Sequence, residues 1–216
     1  MTDRTIMIDI GKDLFGANEE AAAHNAELFR QRGIRAIDIM GSVGTGKTQL
    51  IEALCEKLRD KYRILMVAGD LATTIDADRV ASHGVDTVQI NTGTACHLDA
   101  RMIQVALKDI ELSQYQLIFI ENVGNLICPA GYSLGVDKKI VVVSVTEGPY
   151  MVKKHPLTIK RADMVVINKI DLADAIGFDM GALETDVREV DAKIPVYRVS
   201  SKTGEGIDTL VEALDF

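Results

Sequence analysis

Three residues in two short segments of the chain are candidate ligands for a transition metal. Cys96 and His97 are adjacent in N-T-G-T-A-C-H-L-D-A, and Cys128 follows in E-N-V-G-N-L-I-C-P-A. Two thiolates and an imidazole form a soft to borderline ligand set that suits Ni²⁺ or Zn²⁺ better than Mg²⁺ or Ca²⁺. The alternative for either cysteine alone is a buried structural thiol. The choice depends on where the rest of the chain places these residues.

A second group of residues has the spacing of a phosphate-binding loop. G-S-V-G-T-G-K-T at residues 41–48 fits G-x-x-x-x-G-K-[ST], between a strand-like run and a helical pattern. Its glycines let backbone N–H groups point at phosphate oxygens, and the helix N-terminus adds a favourable dipole. Lys47 is expected to neutralise the β- and γ-phosphates, and the Thr48 hydroxyl to bind Mg²⁺. The predicted nucleotide contacts here are Gly41, Ser42, Gly44, Gly46, Lys47, Thr48 and Gln49.

The sequence N-K-I-D at residues 168–171 indicates which base is bound. The Asp171 carboxylate can accept hydrogen bonds from the ring N–H and the amino group of guanine, and adenine offers no such donor pair. The alternative is that Asp171 caps a helix before Leu172. A guanine nucleotide, GTP or GDP, is the predicted ligand, with base contacts from Asn168, Lys169, Asp171, Ser200, Ser201 and Lys202.

A third element of the predicted nucleotide site is E-N-V-G at residues 121–124. Glu121 can reach Mg²⁺ directly or through water, and the Gly124 N–H can contact the γ-phosphate. No glutamine follows the glycine to orient a water molecule, so hydrolysis is expected to be slow or completed by a partner or second subunit. The predicted catalytic residues are Lys47, Thr48, Glu121 and Gly124.

Seven strand-like runs position these residues, at 34–40, 64–68, 86–90, 117–120, 140–145, 164–167 and 196–199. Most are apolar at nearly every position and alternate with helix-length segments such as 98–110 and 180–190. This pattern predicts an α/β fold of the P-loop NTPase class, with a mostly parallel sheet of about seven strands and helices on both faces. In such a sheet the loops that follow the strands meet at the carboxyl edge. The thiols of Cys96 and Cys128 are therefore expected near the nucleotide.

One domain covering residues 1–216 is predicted, because no linker rich in Pro, Gly or Ser interrupts the chain. Residues 12–32 predict an N-terminal helical extension that ends at Gly33 and packs outside the sheet. A net charge of -8 and a pI near 5.0 argue against nucleic acid or anionic lipid as partners. With no membrane-length apolar run and no signal sequence at the first residues, a cytoplasmic location is expected.

Together the phosphate loop, N-T-G-T-A-C-H-L-D-A, E-N-V-G-N-L-I-C-P-A and N-K-I-D-L resemble the hydrogenase nickel-incorporation GTPases of the HypB family. The resemblance covers nearly the whole chain. It implies a homodimer when GTP is bound, and nickel delivery to the large subunit of [NiFe] hydrogenase with a HypA-type nickel protein. It also implies a metal site of Cys96, His97 and Cys128. Asp76 becomes a candidate second Mg²⁺ ligand, with a helix N-cap as the alternative.

Two departures from the family pattern bear on metal handling. Arg101 stands where some members carry a second histidine, and a guanidinium cannot bind a metal ion. The start M-T-D-R has neither the cysteine cluster nor the histidine-rich tail of other members, so nickel storage there is not expected. Two alternative functions stay open, a urease-type nickel GTPase and a non-catalytic metal-binding or storage protein.

Overall fold

A single parallel sheet of seven strands forms the centre of the molecule. The computed structural model describes residues 10–71 and 74–215, the side chains of residues 10–15 excepted. The expectations about the first nine residues lie outside this range. The strand order is β3-β2-β4-β1-β5-β6-β7, and every pairing is parallel, which confirms the predicted fold class. The strands are β1 (Arg35–Met40), β2 (Ile64–Asp70), β3 (Asp86–Asn91), β4 (Leu117–Glu121), β5 (Lys138–Ser144), β6 (Met164–Asn168) and β7 (Val196–Arg198).

Helices connect the strands along the chain. They are α1 (Ile10–Arg32), α2 (Lys47–Leu58), α3 (Ile75–Ala81), α4 (Ala100–Leu107), α5 (Met151–Lys154), α6 (Pro156–Lys160), α7 (Met180–Val190) and α8 (Ile207–Leu214), with 3-10 turns at Leu112–Gln114, Pro129–Gly131, Val145–Glu147 and Ile170–Leu172. The prediction for α7 is confirmed at both ends. Helix α4 begins two residues later than the predicted 98–110 because Asp99 caps it, its side chain accepting a hydrogen bond of 2.8 Å from the Met102 N–H, and it ends earlier, at Leu107.

The hydrophobic core lies on both faces of the sheet, as predicted for strands that are apolar throughout. Ile37 and Ile39 of β1 pack against α2, α3 and α8 on one face. Ala36 points to the opposite face and joins residues of α1 and α4, while Met40 joins the cluster that includes α5, α6 and α7. This alternation follows from the two-residue period of a strand, and it places helices on both faces.

The N-terminal helix α1 packs beside α4, which confirms the expected position outside the sheet. Asn25, which is buried, donates from Nδ2 to the carbonyls of Ala100 (2.9 Å) and Leu134 (3.0 Å). The Asn18 Oδ1 accepts from the Ala100 N–H at 2.9 Å. Helix α1 therefore supports the start of α4, immediately after the Cys96-His97 pair. Across the described part of the chain, no helix has the length and apolar character needed to cross a lipid bilayer.

Candidate nucleotide and metal site

The phosphate loop leaves the carboxyl end of β1 and turns into α2. Gly44 (φ 82°) and Gly46 (φ 90°) adopt left-handed conformations, which favour glycine. A Cβ atom added to Gly46 would lie 2.6 Å from Asn168 Nδ2. The phosphate loop therefore passes too close to the N-K-I-D segment for any residue larger than glycine at position 46. Lys47 is buried, and its Nζ donates to the Ser42 carbonyl at 3.2 Å. The loop thus encloses the positive charge of Lys47.

Three oxygen atoms from distant parts of the chain meet at the end of this loop. Thr48 Oγ1 lies 2.9 Å from both Asp76 Oδ1 and Glu121 Oε1. A hydroxyl has one proton and can donate to only one of these carboxylates. The second oxygen of Glu121, Oε2, is buried without a hydrogen-bond partner among the described residues. A hard divalent cation such as Mg²⁺ fits this oxygen set, because it would satisfy the lone pairs that protein donors leave unpaired.

The structure rules out one of the two interpretations of Asp76. Thr74 is the N-cap residue of α3, and Asp76 lies within its first turn. The N-cap alternative is therefore wrong. Two residues of the preceding loop, 72 and 73, lie outside the described range.

Burial perturbs the charges at this point. It raises the pKa of the Glu121 carboxyl to about 7, while the nearby Lys47 acts to lower it. Burial also lowers the pKa of Lys47, with Glu121 opposing the change. Lys47 Nζ and Glu121 Oε1 are 4.0 Å apart. Both groups are therefore only partly compensated, and each would gain from the opposite charge of a bound phosphate or cation.

A cavity of about 370 Å³ opens between the phosphate loop, the start of α3 and the end of β4. It brings together most of the predicted phosphate and magnesium residues. Arg79, which the sequence did not single out, also lines it and donates to Glu52 at 2.7 Å. The predicted site residues on its wall are Gly44, Gly46, Lys47, Thr48, Gln49, Asp76, Glu121, Gly124 and Lys169.

The predicted base-binding residues lie beside this cavity, at the ends of β6 and β7. Asn168 is fully buried and its amide joins three segments, donating to the Thr45 carbonyl (2.9 Å) and accepting from the Ser201 N–H (3.1 Å) and hydroxyl (3.0 Å). Ser200 donates to Asp171 Oδ1 at 2.6 Å and so orients the exposed carboxylate. Asn168 thus holds the two base loops against the phosphate loop, and Lys202 lies exposed nearby.

Lys169 connects the base side of the site to the phosphate side. Its backbone is left-handed, with φ 63°, and its Nζ donates to the Gly44 carbonyl at 2.6 Å. The lysine stem therefore crosses the gap between N-K-I-D and the phosphate loop.

The metal-ligand candidates converge at the same edge of the sheet. One ligand atom from each of Cys96, His97 and Cys128 lies within 4.8 Å of the other two, and all three residues are half-buried. The Cys96 Sγ and His97 Nδ1 atoms are 3.8 Å apart. Tyr132 packs on the His97 ring with centroids 4.0 Å apart. Arg101 is exposed on α4. The thiol of Cys55, by contrast, is buried in the core.

The pKa values of Cys96 and His97 reflect the proximity of the two thiols and the burial of the imidazole. The pKa of Cys96 is raised, chiefly by its hydrogen bond with the Cys128 thiol. The pKa of His97 is lowered by burial, with Asp99 opposing the change. A neutral imidazole is the form that binds a metal ion, whereas each thiol must lose its proton.

Two asparagines of E-N-V-G-N were not identified as functional from the sequence. Asn122 is buried, and its Oδ1 accepts from the Leu98 N–H at 3.0 Å. Asn125 Nδ2 donates to the Cys96 carbonyl at 3.3 Å. Both side chains therefore tie the end of β4 to the Cys96-His97 loop. The available signal was their position beside Glu121 and Gly124, but their partners lie 24 and 29 residues away.

Comparisons with known proteins agree on one family. The family described as "CobW/HypB/UreG, nucleotide-binding domain" matches residues 35–198. A Methanocaldococcus jannaschii protein named "Probable hydrogenase maturation factor HypB" is 47% identical over 209 residues, which are 97% of this chain and 95% of that protein. The crystal structure of HypB from Archaeoglobus fulgidus aligns with a TM-score of 0.86 at 40% identity, covering 92% of this chain and 97% of that one.

A second solved structure is that of HypB from Helicobacter pylori in complex with nickel. It aligns with a TM-score of 0.86 at 37% identity, and the match covers 92% of this chain and 93% of that chain. The nucleotide-binding fold and the family resemblance stated from the sequence are thereby confirmed. This chain belongs to the HypB family of hydrogenase maturation factors.

Proposed function

We propose that this protein binds and slowly hydrolyses GTP, and that it carries nickel for the maturation of [NiFe] hydrogenase. Family membership and the names of the relatives support the maturation role, and the nickel complex of the Helicobacter pylori protein supports the cargo. The observation that carries the proposal is the convergence of Cys96, His97 and Cys128 within 4.8 Å beside the phosphate cavity.

The phosphate loop would hold the nucleotide through contacts that replace present internal ones. Lys47 Nζ now donates to the Ser42 carbonyl and faces Glu121. A γ-phosphate oxygen would replace the Ser42 carbonyl as the acceptor for Lys47, because a charge-assisted hydrogen bond is stronger. The Asp171 carboxylate, oriented by Ser200, would accept from the guanine edge. Recognition of the base and recognition of the phosphates are thus joined through Lys169 and Asn168.

Thr48, Asp76 and Glu121 are the residues that would hold Mg²⁺. The chemistry that the ion supplies there is neutralisation of the charge on the β- and γ-phosphates. Lys47 and the Gly124 N–H would stabilise the charge that shifts between the phosphates during hydrolysis. The cavity presents no glutamine after Gly124 to orient a water molecule, so we propose slow turnover, accelerated by a second subunit or a partner protein.

Nickel is the cargo in this proposal. Two thiolates and one imidazole leave the coordination shell incomplete, so water, a second copy of this chain or the recipient must supply further ligands. An incomplete, half-buried site suits a carrier, because a recipient's ligand can enter before the ion leaves. We propose a homodimer in the GTP state, a HypA-type nickel protein as partner and the hydrogenase large subunit as recipient.

Nickel titration of single-residue variants tests the metal site. Cys96→Ala, His97→Ala and Cys128→Ala should each weaken nickel binding at least about 10-fold, because each removes a direct ligand. Cys55→Ala is the matched control, since that thiol lies in the core. Equal nickel affinity in wild type, Cys96→Ala and Cys128→Ala would overturn the proposed site.

Single-turnover hydrolysis separates this function from nickel storage. GTP mixed with excess protein and Mg²⁺ should be converted to GDP, and Thr48→Ala should abolish the conversion while nickel binding with GDP persists. A wild-type protein that binds GTP but releases no phosphate would favour the storage alternative. Molar mass from light scattering, with GDP and with a non-hydrolysable GTP analogue, tests the nucleotide-dependent dimer.

A further inference from the structure

Asn125 contacts the phosphate loop and the metal loop at once. Its backbone forms an antiparallel bridge with Gly41, the first residue of the phosphate loop. Its side-chain Nδ2 donates to the Cys96 carbonyl at 3.3 Å, and its Oδ1 accepts from the Ile127 N–H at 2.8 Å. This one residue therefore joins the start of the phosphate loop, a metal-ligand residue and the segment that leads to Cys128.

Asn122 fixes the other end of the Cys96-His97 loop. Its Oδ1 accepts from the N–H groups of Leu98 (3.0 Å) and Val123 (3.1 Å), and its Nδ2 donates to Asp38 Oδ1 at 3.1 Å. Reversing the amide would turn its oxygen toward a carboxylate and its N–H₂ toward two N–H groups, so the orientation is determined. Because Asn122 is buried with all three contacts made, it forms a rigid anchor.

Gly124 lies between the two asparagines and faces the tip of the phosphate loop. A Cβ atom added to it would lie 2.4 Å from Val43 Cγ2, and Val43 itself is 82% exposed. Gly124 and the loop tip are thus in contact, and both line the cavity. A γ-phosphate that binds the Gly124 N–H would bind beside this contact, where it can displace Gly124 relative to Val43.

We propose that Asn125 is a positioning residue that transmits the nucleotide state to the nickel site. This inference rests on the proposed function. Displacement of Gly124 moves the adjacent Asn125, and its amide shifts the Cys96 carbonyl, while Asn122 holds Leu98 in place. The Cys96-His97 loop is then held at Leu98 and displaced at the Cys96 carbonyl. It rotates, and the separation of Cys96 and Cys128 changes. Nickel affinity depends on that separation, so it follows the nucleotide.

The test measures the ratio of nickel dissociation constants with GDP and with a non-hydrolysable GTP analogue. In wild type the two constants should differ by about 5-fold or more, as for other coupled sites. Asn125→Ala should keep the GDP-state nickel affinity and the nucleotide affinity but bring the ratio to within about two-fold of one. Asn91→Ala, an exposed asparagine at the end of β3, is the matched control and should keep the wild-type ratio.

A purely structural role for Asn125 predicts a different result, because loss of stability weakens nickel binding in both nucleotide states and leaves the ratio intact. If Asn125→Ala folds poorly, Asn125→Asp replaces it: it can accept from the Ile127 N–H but cannot donate to the Cys96 carbonyl. The thiolate-to-nickel charge-transfer absorption should differ between the two nucleotides in wild type and coincide in either variant.

Two failures are distinguishable. A ratio of one in wild type would refute nucleotide-coupled nickel binding altogether, and the role of Asn125 with it. A wild-type ratio that persists in Asn125→Ala and Asn125→Asp would overturn only the assignment of Asn125, leaving the GTP and nickel sites of the proposed function intact.

Discussion

Asp38 is a fully buried carboxyl group in β1, and its ionisation should make the stability of the protein depend on pH. Its Oδ1 accepts from Asn122 Nδ2, while its Oδ2 has no hydrogen-bond partner among the described residues. Burial raises the pKa of Asp38 from 3.8 to about 6, with Asn122 and Lys139 acting to lower it. The ionised form is therefore less favourable in the folded chain than in the unfolded chain.

The sign and size of the effect follow from linkage. Well below pH 3.8 both states hold the proton, and no penalty arises. As the pH rises through the window from 3.8 to about 6, the unfolded chain loses its proton first, so the free energy of unfolding falls. The total loss from this group is about 3 kcal/mol once the pH exceeds 6.

Asp38→Asn removes this titration while keeping the shape of the side chain. Its amide oxygen can still accept from Asn122 Nδ2. The free energy of unfolding, measured by urea denaturation, should be similar for the two proteins at about pH 3, and larger for the variant by about 2–3 kcal/mol at about pH 7.5. The other carboxyl groups are common to both proteins and cancel in the difference. A difference that stays constant between these two pH values would refute the assignment of a raised pKa to Asp38.

Two further predictions concern the nucleotide. Gly46→Ala should weaken GTP binding about 10-fold or more, because a left-handed alanine costs about 1–2 kcal/mol and its Cβ would approach Asn168 Nδ2; isothermal titration checks this, and unchanged affinity would contradict the loop geometry. Asp171→Asn should weaken GTP binding at least about 10-fold and improve binding of xanthosine triphosphate, whose C2 carbonyl accepts from the new amide. Competition between the two nucleotides measures this exchange, and undiminished preference for GTP would show that Asp171 does not read the base.

The positions of the strands could be predicted because buried parallel strands are apolar at almost every residue. All seven runs correspond to strands, with ends that differ by one or two residues. The differences arise where hydrogen bonds rather than hydrophobicity set the boundary. Asp99 illustrates the same effect for a helix, since its side chain caps α4, which therefore begins at Ala100 and not at residue 98, where the apolar pattern begins.

The candidate site was predictable only where local sequence and local geometry coincide. Gly44, Gly46 and Lys47 belong to one short loop, so their types and spacing were sufficient to indicate a phosphate site. Asp76 was ambiguous, because a carboxylate near a helix start is equally suited to capping. Only the structure excluded capping, because Thr74 is the N-cap residue, and it placed Asp76 in contact with Thr48, 28 residues earlier.

By itself the sequence determined the family, the parallel α/β sheet and the types of ligand available, because motifs and hydrophobic periodicity are local properties of the chain. Only the tertiary structure decided that Cys96, His97 and Cys128 lie within 4.8 Å of one another. It alone showed that Asn125 joins the phosphate loop to the metal loop. These contacts depend on the order and register of strands far apart in the chain, which no local pattern encodes.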